Sequence, residues 1–323
     1  MQTVFLDYAT VSYEDLDSSS IAAAARSSGG DSGVIFHPMT AEPLIIERIR
    51  DANIVLLNKV KLGRAHLEAA PGLTLIALAA TGTDNVDLDA ARQRGIAVCN
   101  IRGYCTASVV QQAWAMILAL TQHLQDYSRR ARDGSWSRSE EFGGNAPAIR
   151  ELAGRTLGVV GWGELGRGVA RTAEAFGMRI IVANRPGAAP KIGRVDLDEL
   201  LATADVVSLH CPLNTATRGL IGERELRRMK PDALLINTAR GALLDGLALA
   251  NALKEGRLGG AGIDVLPKEP PVDGDPLLDP GIPNLIVTPH IAWAAREARQ
   301  RCLDEMAANI RDFLAGGRRG RVV

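Results

Sequence analysis

Net charge is the first thing this sequence lacks. Lys plus Arg and Asp plus Glu both number 37 among 323 residues, so the formal charge is zero. Without a basic surplus nucleic acid is not expected as a partner, because neutralising phosphates supplies most of that kind of affinity. The one compact basic run, Gly316-Gly-Arg-Arg-Gly-Arg321, reads as a frayed terminus rather than a binding arm. Cysteine is also scarce. The four residues Cys99, Cys105, Cys211 and Cys302 show no C-x-x-C or ligand-like spacing, which argues against a metal site or a disulfide framework and for free thiols in a cytoplasmic protein. No apolar run is long enough to span a membrane. The start, Met1-Gln-Thr-Val-Phe-Leu-Asp7, carries no basic leader and reads as a strand. No internal repeat or low-complexity segment is visible.

Hydrophobic residues are plentiful, at 46%, and the length suits two cores rather than one. Apolar runs alternate with helical patterns from end to end, the signature of βαβ units and parallel sheets. In the first hundred residues strands are expected near Val4–Leu6, Val34–Phe36, Ile54–Leu57, Leu75–Ala79 and Ile96–Cys99, with helices such as Glu42–Arg50 and Leu88–Arg94 between them. One long helix is expected from Thr106 to Arg130, followed by a polar loop around Trp136. A second series of strands follows at Leu157–Val160, Ile180–Ala183, Val206–Leu209, Leu234–Asn237, Gly262–Val265 and Ile286–Thr288, and a last helix at Ala294–Leu314. The predicted fold is α/β, with two doubly wound parallel sheets. A Rossmann domain, 101–290, is inserted into a flavodoxin-like domain formed by 1–100 and 291–323.

The second series opens on Gly158-Val-Val-Gly-Trp-Gly-Glu-Leu-Gly166, which places Gly161, Gly163 and Gly166 in the G-x-G-x-x-G spacing between a strand and a helix. The first glycine allows the turn, the second lets backbone approach a pyrophosphate, and the third lets the helix pack on the strand. Glu164 and Leu165 then belong to a helix N-terminus that presents unpaired N–H groups to phosphates. A nicotinamide-type dinucleotide is the expected ligand.

Four more segments fall at or just after strand ends, where open α/β sheets bind ligands. They are Asn237-Thr-Ala-Arg-Gly241, Gly262-Ile-Asp-Val265, Lys268-Glu-Pro-Pro271 and Thr288-Pro-His-Ile-Ala-Trp293. Arg240, Asp264, Glu269 and His290 could therefore converge on one cleft, and three of them have the chemistry for proton transfer and anion binding. Imidazole titrates near neutral pH and can donate the proton. A carboxylate on its second nitrogen orients the ring and favours the imidazolium. A guanidinium is planar and always charged, so it can grip a carboxylate or polarise a carbonyl, worth on the order of 3 kcal/mol of barrier per good donor.

In this order, and together with Ala80-Thr-Gly-Thr-Asp-Asn-Val-Asp87, these motifs resemble the D-isomer-specific 2-hydroxyacid dehydrogenase family over nearly the whole chain. Gly103-Tyr-Cys-Thr-Ala-Ser-Val109 and Thr288-Pro-His-Ile-Ala-Trp-Ala-Ala-Arg-Glu-Ala-Arg299 resemble the glycerate dehydrogenases, also called hydroxypyruvate reductases. Two positions depart from that subgroup: Cys105 stands where Ser is common, and Gln112 where His is common. The resemblance implies that Asp264 and the backbone of Ala239 contact the nicotinamide carboxamide, that Thr106 faces the phosphates or nicotinamide, and that His210, Cys211, Pro212 and Thr217 line the adenosine side. It also implies substrate-carboxylate contacts from Asn58, Lys59 and Val60 and from Thr81 and Gly82, and a twofold homodimer through the apolar helix around Trp114 and the arm near Trp136. No metal is implied.

The residue that reads the adenosine ribose lies about 20 residues past the glycines, where NAD-specific sites carry Asp or Glu. This chain has Ala183-Asn-Arg-Pro186 there. Asn184 does not repel a 2′-phosphate and Arg185 could pair with it, so NADPH is expected in preference to NADH. Hydroxypyruvate or glyoxylate is the expected substrate. A phosphoglycerate dehydrogenase would often carry a further regulatory domain, a formate dehydrogenase would have Gln in place of Glu269, and a dinucleotide-sensing corepressor is the rival outside enzymes.

Overall fold

The computed structural model describes residues 1–26, 33–143 and 147–323. It divides into two compact units, Met1–Cys105 with Trp293–Val323, and Thr106–Ala292. The breaks lie a few residues beyond the boundaries read from sequence.

The first unit holds a five-stranded parallel sheet of β1 (Thr3–Phe5), β2 (Val34–Phe36), β3 (Ile54–Leu57), β4 (Leu75–Leu78) and β5 (Ala97–Cys99), in the order β2-β1-β3-β4-β5. All four residues of β3 and all four of β4 are buried, as expected for strands covered on both faces. One face packs under Ile45, Ile49, Leu67, Ala90 and Ala91, the other against Ile21, Ala24 and the helix Arg296–Leu314. That helix buries Ala298, Cys302, Leu303, Met306 and Ile310 at helical spacing. It also buries Arg299, whose guanidinium forks onto both oxygens of Asp15 at 2.8 and 2.6 Å and donates to the carbonyls of Val11 and Ala294. The guanidinium holds the Asp15 carboxyl well below the usual carboxylate range.

The second unit holds six parallel strands, β6 (Thr156–Val160), β7 (Arg179–Val182), β8 (Val206–Leu209), β9 (Leu234–Asn237), β10 (Gly260–Ile263) and β11 (Leu285–Val287), in the order β11-β10-β9-β8-β6-β7. Pairs such as Leu157↔Val206 and Val206↔Leu234 set the register. Order reverses between β6 and β8, and the crevice at that point faces the strands' carboxyl ends.

Three expectations need correction. The helix predicted from Thr106 to Arg130 is two helices, Thr106–Thr121 and Leu124–Arg132, broken where His123 takes φ +48. The terminal basic run is not frayed. Asn100 N–H donates to the Gly320 carbonyl and Val322 N–H to that of Val98, and Val322 and Val323 pack on the core. Trp114 is no surface residue: it is 4% exposed, stacks on Phe176 with centroids 4.8 Å apart, and donates from Nε1 to the Val169 carbonyl. The exposed apolar groups nearby are Leu124, Trp136 and Phe142 instead. No disulfide forms among the described residues, and burial pushes the Cys99 and Cys211 thiols up to about 11.

Candidate active site

In the second unit the loops after β6 and β8 meet at the switch point. Gly161 takes φ +106, and a Cβ there would lie 2.5 Å from the Cys211 nitrogen and the His210 carbonyl carbon. His210 N–H donates to the Val160 carbonyl at 2.7 Å. A Cβ on Gly166 would lie 2.0 Å from the Gly161 oxygen, so the helix Glu164–Ala175 can approach β6 only with glycine at that position. A Cβ on Gly163, by contrast, would meet nothing within 4 Å. Its backbone therefore borders open space at the start of the helix. The first helical hydrogen bond runs from Arg167 N–H to the Gly163 carbonyl, which leaves the amides of Glu164, Leu165 and Gly166 ahead of it. Two buried polar atoms of the strand-end loops, His210 Nδ1 and Thr238 Oγ1, have no hydrogen-bond partner. Open backbone, unpaired amides and orphaned polar atoms fit a bound dinucleotide.

The next loops carry acid–base groups. After β9, Asn237 braces the turn, accepting from Ala239 N–H at 3.0 Å and donating to the Arg240 carbonyl at 2.9 Å. Gly241 lets this turn and the loop after β10 touch, since a Cβ there would lie 2.1 Å from the Leu266 carbonyl carbon. On that second loop Glu269 accepts from Leu266 N–H through Oε1 and lies 2.6 Å from His290 Nδ1 through Oε2. Both side chains are partly exposed, 26% for His290 and 34% for Glu269. Glu269 thus fixes the ring and leaves Nε2 as the nitrogen that faces away from the carboxylate.

Asp264, expected to contact a nicotinamide carboxamide, is tied into the loop that carries His290. It is 1% exposed, with Oδ1 accepting from Thr288 Oγ1 at 2.5 Å and Ile291 N–H at 2.9 Å, and Oδ2 from Ala292 N–H at 2.9 Å. Its backbone carbonyl accepts from His290 N–H at 2.7 Å. Burial nevertheless raises its carboxyl above the usual range. These bonds hold His290 at φ +54, a conformation that costs on the order of 1–3 kcal/mol and persists only where neighbours enforce it. Gln112 extends the network by donating to Thr288 Oγ1 at 3.3 Å. Neither that link nor the anchoring role of Asp264 is visible in the sequence.

Several other residues expected at the site also bond within the protein. Thr217 is 2% exposed, and its hydroxyl bridges Pro212 and Asn214 within the loop after β8. Ala239 has its amide on Asn237 and its carbonyl on Arg240 Nη1. Thr106 donates its hydroxyl to Glu164. Asn184 donates to Asp196 at 2.9 Å and accepts from Lys191 N–H, so a carboxylate missed in the sequence reading stands behind it, while Arg185 is exposed. In the first unit the amides of Asn58, Lys59 and Val60 all donate to Asp7 and are not open to a substrate. Among the described residues nothing accepts from the amides of Thr81 and Gly82, which follow β4.

A Rossmann sheet with an open glycine turn and a carboxylate-oriented imidazole defines an NAD-dependent oxidoreductase. Comparison with known proteins agrees. Residues 114–292 match the D-isomer specific 2-hydroxyacid dehydrogenase, NAD binding domain family. The chain is 45% identical over 272 residues to a glycerate dehydrogenase of Methylorubrum extorquens, covering 84% of this chain and 86% of that protein. It is 39% identical over 282 residues to a glyoxylate reductase of Thermococcus litoralis, covering 84% of each. Among solved structures, an acyclic imino acid reductase in complex with NADPH and D-Arg superposes with a TM-score of 0.83 at 29% identity, over all of both chains. The chain belongs to the D-isomer-specific 2-hydroxyacid dehydrogenase family.

His210 offers a test of the switch-point packing. Burial lowers its pKa from 6.5 to about 4. The unfolded chain therefore binds more protons between those values, and stability falls as pH drops from about 6.5 towards 4. Urea midpoints measured across that range should fall less steeply for His210→Gln than for the unaltered protein.

Proposed function

We propose that this protein reduces a small 2-keto acid, hydroxypyruvate or glyoxylate, to the D-2-hydroxy acid, using NADPH in preference to NADH. The 2.6 Å contact between Glu269 Oε2 and His290 Nδ1 carries the reading, because it makes an oriented proton donor on the same unit as the dinucleotide turn. Bound nicotinamide supplies the hydride. His290 delivers a proton from Nε2 to the carbonyl oxygen as negative charge develops there. Glu269 stabilises the imidazolium that precedes transfer and keeps the ring in place afterwards. Arg240, held at a braced turn beside the Glu269 loop, binds the substrate carboxylate and polarises the carbonyl. The D-configured product follows if hydride is delivered to one face only.

The resemblance to a glycerate dehydrogenase and a glyoxylate reductase supports the substrate, and exposed Arg185 supports NADPH. The exposed Leu124, Trp136 and Phe142 support a homodimer through the arm after the helix Thr106–Thr121.

His290→Ala should lower kcat with glyoxylate by about 10²- to 10⁴-fold while NADPH still binds. Unaltered turnover would remove His290 from the reaction. Steady-state kinetics should give a higher kcat/KM for NADPH than for NADH, and Arg185→Ala should narrow the gap; an unchanged ratio would assign the preference elsewhere. Sedimentation should find a dimer that Phe142→Asp weakens, and a monomer at micromolar concentration would contradict this part of the proposal.

A further inference from the structure

The first sheet has its own reversal of strand order, between β1 and β3, and in an open α/β sheet that point is where a ligand is expected. Here a side chain fills it. Asp7 follows β1, is fully buried, and accepts from three successive amides after β3: Asn58 N–H to Oδ1 at 2.9 Å, and Lys59 and Val60 N–H to Oδ2 at 2.6 and 2.9 Å. Three consecutive amides converging on one carboxylate form the kind of concavity that elsewhere binds a phosphate or a free acid. The surrounding bonds fix the same loop from other sides. The Asp7 carbonyl accepts from the amide and hydroxyl of Thr10, and Asn58 Nδ2 reaches Thr10 Oγ1 at 3.0 Å. Asn85 Nδ2 donates to the carbonyls of Asn58 and Val60, both at 3.1 Å. The outcome is a rigid loop that presents one long cation, Lys59, whose Nζ lies 5.5 Å from the centroid of the Trp293 ring.

We infer that Asp7 is a positioning residue for the substrate-carboxylate subsite: an internal anion that takes up the amides of residues 58–60 and thereby sets the direction of Lys59. The inference rests on the proposed reading of that loop as part of the keto-acid site. A carboxyl of this chain occupies the switch-point amides, so what the first unit offers an anionic substrate is the Lys59 ammonium and the amides of Thr81 and Gly82. The arrangement separates two roles that one loop would otherwise combine, since the backbone serves the fold and the side chain serves the ligand.

Asp7→Asn tests it. An amide offers one acceptor oxygen where the loop needs two, and its NH2 faces N–H donors, so the loop must shift while the volume of the core is kept. The expected result is a KM for glyoxylate or hydroxypyruvate raised at least tenfold, kcat at saturation within about threefold, and a dissociation constant for NADPH, from its fluorescence, changed less than twofold. A merely structural role would lower the melting temperature and the active fraction without splitting KM from kcat. Thr10→Ala, which deletes one contact to Asn58, should move KM the same way by a smaller factor, and it stands in if Asp7→Asn does not fold. Lys59→Ala separates the inference from the reading beneath it. If Lys59→Ala raises KM and the Asp7 and Thr10 variants do not, the inference is overturned and the loop keeps its role. If none of the three raises KM, the loop is not a substrate element and both fall.

Discussion

A buried carboxylate at the end of β10 is the constraint on which the acid–base apparatus depends. Asp264 has almost no exposure, and its side chain and carbonyl together take bonds from Thr288, His290, Ile291 and Ala292. A histidine in the left-handed region would relax if these bonds were absent, because non-glycine residues gain energy by leaving it. Held there, His290 projects Nδ1 at Glu269 rather than along the strand. The Glu269 loop is placed in turn by its own bond to Leu266 and by the close approach that Gly241 permits. Each layer of the site therefore rests on one buried carboxyl whose desolvation three donors offset only in part.

The two units solve the same topological problem in opposite ways. Each parallel sheet reverses strand order once, and each reversal leaves amides at the carboxyl ends of its strands. In the second unit glycines at 161 and 163 strip the loop after β6 of side chains, Gly166 lets the following helix close on the strand, and the helix amides precede the first helical bond. That crevice is fit for an external anion. In the first unit Asp7 supplies the anion from within, and the amides become part of the fold. Glycine opens one switch point and aspartate closes the other, so a shared architecture yields a cofactor site in one sheet and a scaffold for a cation in the other.

How much of this was legible in the sequence depends on how local the signal is. The strands of both sheets follow from apolar runs that need burial on two faces, and their observed limits lie within two residues of expectation, four of them without a difference. The glycine turn was legible because its requirements lie within six residues. Arg240, Glu269 and His290 could be picked out only by their order along the chain, since each alone resembles an ordinary loop residue. What the sequence concealed was pairing at a distance. Asp7 and Asn58 are 51 residues apart, Gln112 and Thr288 are 176 apart, and neither pair leaves a pattern. The same concealment hides the internal partners of Thr217, Asn184 and the amides of residues 58–60, which neighbours engage at a distance along the chain. The break at His123 carries no glycine or proline to announce it.

The most direct measurement is the initial rate of NADPH oxidation by the purified protein with hydroxypyruvate, glyoxylate and a bulky 2-keto acid in parallel. The account predicts fast turnover of the two small acids and little with the bulky one. A protein that binds the dinucleotide yet turns over none of them would contradict it.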